Sequence, residues 1–135
     1  MKKMGVITLM ALVVCCATLS ADEVEVSNLQ PTQNTNACFR LFPTNNIWTF
    51  LELDTRTGLA WQVQFGLESP NDRSTVILNE LKLAPATSKE GRFTLYPTRN
   101  MFNFLLIDQE TGQTWQLQWS QKPTERGIWL IPPAK

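Results

Sequence analysis

Leu59-Ala60-Trp61-Gln62-Val63-Gln64-Phe65 is the stretch that decides the fold. Its odd positions are all large and apolar, while its even positions are Ala, Gln and Gln, a period of two that belongs to a strand and not to a helix. Leu59, Trp61, Val63 and Phe65 are thereby expected on one side of a sheet, with Gln62 and Gln64 on the other. Trp61 is the expected core anchor.

The same phrase returns 54 residues later as Gln113-Thr114-Trp115-Gln116-Leu117-Gln118-Trp119. Trp115, Leu117 and Trp119 are expected inside, and Gln116 and Gln118 outside. Working outward, Phe39–Phe65 aligns with Phe93–Trp119 without a gap, and 13 of these 27 positions are identical. Such self-similarity reads as a duplicated unit. Asp54 to Gly58 and Asp108 to Gly112 form the loop before each Trp strand, where Asp satisfies nearby backbone N–H groups and Gly takes a positive φ. Ile47–Leu53 and Met101–Ile107 precede these loops, and they are so apolar that both of their faces are expected to be covered by protein. Pro43 and Pro97 end the short strands Phe39–Phe42 and Phe93–Tyr96, because proline has no N–H for the ladder. Ser74–Leu78 and Ile128–Ile131 supply a last strand to each copy.

The expected fold is therefore all-β: two tandem four-stranded antiparallel meanders, related by a pseudo-twofold, forming a small β-sandwich or barrel. Repeat 1 spans 38–79 and repeat 2 spans 92–132, inside a single domain at 37–135. Residues 22–36 read as a polar leader, and Glu80–Glu90 as the connector between copies.

Met1-Lys2-Lys3-Met4 places two positive charges ahead of Gly5–Leu19, a run without a charged side chain, and Ser20-Ala21-Asp22 follows. This is the pattern of a signal peptide over 1–21 with cleavage after Ala21, since the run falls short of the ~20 residues that cross a bilayer as a helix. The mature chain is then expected to carry no transmembrane helix and to reside in the periplasm or outside the cell. Lipid attachment at Cys15 or Cys16 is the alternative. After cleavage Cys38 would stand alone in an oxidising compartment, read as a small apolar strand residue.

The full chain of 135 residues holds 12 Lys plus Arg, 12 Asp plus Glu and no His. Zero net charge argues against a nucleic-acid partner. The lack of His removes Ser-His and Cys-His dyads and the commonest zinc ligand. No metal or cofactor is expected, and no enzymatic activity.

The segment L-[FY]-P-T-x-N-x-x-x-F-L-x-[LI]-D-x-x-T-G-x-x-W-Q-x-Q, at Leu41–Gln64 and Leu95–Gln118, resembles repeats in small exported proteins of Bacteroidetes-type bacteria. The resemblance implies a Gram-negative envelope origin and brings no activity with it.

For function, Gln62, Gln64, Gln116 and Gln118 form an expected outward amide stripe. Amides donate and accept, which suits sugar hydroxyls or a peptide backbone, and Trp48, Phe102 or Trp129 are candidates to stack on a sugar ring. The competing reading is a solvated face or a ladder between copies. Asp54 and Asp108 fit turn-forming roles far better than a glycosidase pair. The expected function is an exported, non-enzymatic β-domain of the envelope that binds a glycan, peptide or protein. A structural or assembly protein using edge strands or oligomerisation is the alternative, and a small carboxylate-dependent hydrolase the third. The oligomeric state is left open.

Overall fold

The structure, a computed structural model, describes residues 34–134. The expected signal peptide over 1–21, with Cys15 and Cys16, and the expected leader up to residue 33 lie outside the described residues. Eight strands form two four-stranded antiparallel sheets, both simple meanders. Sheet I holds β1 (Phe39–Pro43), β2 (Thr49–Asp54), β3 (Ala60–Gln64) and β4 (Ser74–Ile77); sheet II holds β5 (Phe93–Pro97), β6 (Asn103–Asp108), β7 (Thr114–Gln118) and β8 (Gly127–Ile131). The sheets share no strand pairing, so they stack as an open sandwich and do not close into a barrel.

Registers match across the two sheets. Phe39 lies opposite Asp54 and Phe93 opposite Asp108; Glu52 lies opposite Trp61 and Leu106 opposite Trp115. Ile47 and Trp48, expected in the second strand, belong instead to the turn before β2. The Thr44 hydroxyl donates to the Thr49 carbonyl at 2.8 Å, and the Trp48 N–H donates to Asn46 Oδ1 at 2.9 Å. Thr98 and Asn100 repeat both bonds before β6, at 2.8 and 3.0 Å. The repeated Thr-x-Asn is thus a side-chain staple for a turn that Pro opens.

The two sheets do not bury equivalent faces. In sheet II the face bearing Phe93, Leu95, Phe104, Leu106, Trp115 and Leu117 is buried across β5 to β7, with Leu130 of β8 exposed at its margin. In sheet I the opposite face is sealed, the one bearing Phe42, Leu51, Leu53, Ala60 and Gln62. Hence Phe93 is 0% exposed and its equivalent Phe39 51%, whereas Leu51 is 0% exposed and its equivalent Leu105 38%. A twofold stacking like faces would give each pair the same burial. We call these the tryptophan face and the glutamine face after Trp61/Trp115 and Gln62/Gln116. The core is the tryptophan face of sheet II seated on the glutamine face of sheet I.

Two expectations change accordingly. Trp115 is a core anchor at 8% exposure, but Trp61 is only half-buried, packed beside Phe39 at 6.4 Å between ring centres. Among the described residues, the central strands β2 and β6 each have one face uncovered by the other sheet. The connector also contributes more than a tether, because Leu83 and Ala84 pack against the core. At one corner Thr55 gathers three segments. Its N–H donates to the Cys38 carbonyl at 2.8 Å, its hydroxyl donates to the Ala37 carbonyl at 2.7 Å and accepts from the Gly91 N–H at 2.9 Å, and its carbonyl accepts from the Phe93 N–H at 2.8 Å.

Candidate binding surfaces

The paired Asp-to-Gly loops are turns, as expected. The N–H groups of Gly58 and Gly112 donate to the carbonyls of Asp54 and Asp108 at 2.9 and 2.8 Å, with φ of 75° and 77°. Both carboxylates are consumed locally. Asp54 accepts from the Arg56 N–H at 3.0 Å and from the Arg56 guanidinium at 3.2 and 3.3 Å. Burial pushes the Asp54 carboxyl upward, but the Arg56 side chain and backbone and the Thr57 hydroxyl outweigh it and hold the group below its ordinary value.

Asp108 is held more firmly. Burial again pushes upward, yet a two-pronged Arg92 contact at 2.8 and 3.1 Å, the Glu110 N–H and the Thr111 hydroxyl bring the carboxyl down to about 2. Arg92 was not singled out by sequence reasoning. It occupies the position equivalent to Cys38, so repeat comparison alone gave no hint of a cation there. Cys38 instead donates its thiol to Glu90 at 2.8 Å, and that bond, with burial, raises its pKa. Such a thiol is a poor nucleophile.

The expected amide stripe divides. Gln62 is buried, and its Oε1 accepts from the Ser120 N–H at 3.3 Å, joining the two sheets. Its outward placement is therefore corrected: the glutamine face of sheet I is the covered one. Gln64 is half-buried, Gln118 likewise, and Gln116 is exposed with its amide donating to Asn103 at 2.6 Å. The four amides do not form one stripe. Among the aromatic candidates, Trp48 stands edge-on to Phe65 at 5.4 Å, and Phe102 lies 5.2 Å from Trp119 at the equivalent place in sheet II. Trp129 lies on β8 opposite Gln116, half-exposed on the open glutamine face of sheet II.

Trp48 and Gln64 do meet in a cleft of about 590 Å³ at the end of sheet I, which Phe65, Glu68, Asn71 and Asp72 also line. A short 3-10 turn, Pro70–Asp72, forms its wall, capped by Ser69. Gly66 allows this close approach, since a Cβ there would collide with Asp72. Asp72 is partly committed, accepting from the Ser69 N–H at 2.8 Å. The cleft offers an aromatic wall, amides and a Glu68 carboxylate, with a size in the range of small-ligand sites.

Apart from the cleft there are the two open faces. Phe39, Phe65 and Ile77 on sheet I, and Tyr96, Leu105, Trp129 and Ile131 on sheet II, are all exposed. Scattered apolar side chains are ordinary on a protein surface, but contiguous sheet faces of them mark an interaction site. Among the described residues no group of three or more Cys, Asp or Glu side chains is placed to hold a metal ion, and no helix is long and apolar enough to cross a membrane. No protein-family model, curated protein or solved structure matches the chain.

Proposed function

We propose that this chain is an exported, non-enzymatic β-domain of the cell envelope that acts by binding protein through its open sheet faces. The observation that carries the reading is the pair of exposed apolar faces on sheets I and II. Export is supported by the Lys2-Lys3 charge followed by the uncharged Gly5–Leu19 run. A non-enzymatic role is supported by the commitment of Asp54 and Asp108 to hairpin bonds and arginines, and by the absence of His.

A photo-crosslinking residue at Phe39, and separately at Tyr96, tests the binding reading in cells. Protein adducts are expected at both positions; none at either would overturn it. Intact mass of the recovered chain tests export, with Asp22 expected as its first residue.

A second reading has its own support. Trp48, Phe65, Gln64 and Asn71 around the cleft suit a sugar ring stacked on an aromatic and bonded by amides. Isothermal titration with envelope and host glycans, repeated with Trp48→Ala, decides it. Heat that vanishes in the variant supports the cleft, and no heat from any glycan removes it.

A further inference from the structure

We infer that the chain assembles head to tail with further copies of itself, the tryptophan face of sheet I in one copy seating on the glutamine face of sheet II in the next. This rests on the reading that the open faces bind protein, and it names the partner as a second copy.

The template is the joint inside each chain. There a tryptophan face, through Phe93, Phe104, Trp115 and Leu117, covers a glutamine face, through Phe42, Leu51, Leu53 and Gln62. The unused halves carry the same positions at the same registers. Phe39, Phe50, Trp61 and Val63 stand outward on sheet I, and Tyr96, Leu105, Ile107 and Gln116 on sheet II. Among its described residues the chain thus holds one completed joint and one separated pair of mating surfaces. A contact between two different surfaces of the same chain is heterologous, and it leaves a free surface at each end of any assembly.

Polar groups favour this pairing over like on like. Glu52 stands amid the tryptophan face of sheet I, opposite Leu41 and Trp61, where sheet II has the fully buried Leu106. Two such faces together would bring the Glu52 carboxylates of both copies into one apolar contact, which is costly. The glutamine face of sheet II offers that carboxylate hydrogen-bond donors instead, from the Tyr96 hydroxyl and the Gln116 and Gln118 amides. Four strands about 4.8 Å apart and five residues long give each face roughly 19 Å by 17 Å. The contact between chains bears an association entropy that the internal joint does not, so it is expected to be weaker.

The test is sedimentation of the intact chain as recovered from cells, between about 10 µM and about 1 mM, a range that reports modest affinities. Mass should rise with concentration and pass beyond the dimer. Phe39→Lys/Ile77→Lys spoils the sheet I surface and Leu105→Lys the sheet II surface. Each variant alone should stay monomeric, while an equal mixture should form a dimer and stop there, one sound surface from each partner meeting. Recovery of that dimer also shows that both variants are folded. Glu52→Leu should tighten association about tenfold, because it restores the residue of the buried counterpart. A wild-type chain that stays monomeric throughout overturns the inference. So does one spoiled variant that still dimerises alone, which would mean like faces pair, or an inert mixture of variants with cooperative unfolding. If adducts at Phe39 and Tyr96 are proteins of another mass, the binding reading survives and the self-partner falls.

Discussion

Sheets I and II have the same strand order, the same registers and the same glycine-closed hairpins, yet they turn opposite faces to the core. Phe42 is 8% exposed where Tyr96 is 56%, and Leu95 is 3% exposed where Leu41 is 47%. The backbone pattern is set by period, turn chemistry and proline, which both copies share. Which face is covered is set by positions where they differ. Glu52 interrupts the tryptophan face of sheet I and Leu106 completes that of sheet II. Ala60 is fully buried on the glutamine face of sheet I, whereas its equivalent Thr114 and nearby Asn103 are half-buried on the outward one of sheet II.

The sharpest way to break this comparison is to truncate the two equivalent tryptophans. Trp115→Ala empties the core and should cost about 3–5 kcal/mol in denaturant unfolding, while Trp61→Ala at low protein concentration should cost less than half of that. Equal losses would mean that both faces are covered in the single chain.

Acid should separate the two hairpins next. The folded pKa of Asp108 is depressed, so its contribution is fully present above about pH 4 and drains away as the pH falls toward its value of about 2. That contribution is on the order of 1–2 kcal/mol after allowing for solvent at the pair. Asp108→Asn should therefore flatten the acid limb of stability against pH more than Asp54→Asn does, as read by thermal unfolding from pH 6 to pH 2.

The glycines give a smaller split. Both Gly58 and Gly112 sit at positive φ, so alanine strains either by about 1 kcal/mol. A Cβ on Gly58 would also come 2.9 Å from Leu83, while one on Gly112 meets nothing within 4 Å. Gly58→Ala should thus be the more damaging, and equal midpoints in urea would deny that the connector packs there. Smallest is Thr49→Val. The Thr49 hydroxyl is buried without a partner on the covered face of sheet I. Removing it should raise stability by up to about 1 kcal/mol, an increase visible in the urea midpoint.

Much of this architecture is legible in the amino-acid sequence. The alternation through Trp61 and Trp115, the Asp-to-Gly loops and the strand-ending prolines give the eight strands and their antiparallel order. The buried face was not legible from identities, because Trp61 and Gln62 are both repeated and both faces of β6 carry large apolar side chains. The signal lay in the mismatches, Glu52 against Leu106 and Phe42 against Tyr96, which record different surroundings. The Gln62 tie to Ser120 and the Arg92 grip on Asp108 depend on how the sheets stack, and no local pattern encodes that. The Trp48 cleft was only half legible, since its second wall comes from the 3-10 turn at Pro70–Asp72.

The corner at Thr55 has a consequence for how the layers can move. Two of the hydrogen bonds there, from the N–H groups of Gly91 and Phe93, pin the entry of β5 to the β2–β3 hairpin of sheet I, so sheet II cannot slide along sheet I by a residue without releasing both. The offset between the layers is consequently fixed at this corner.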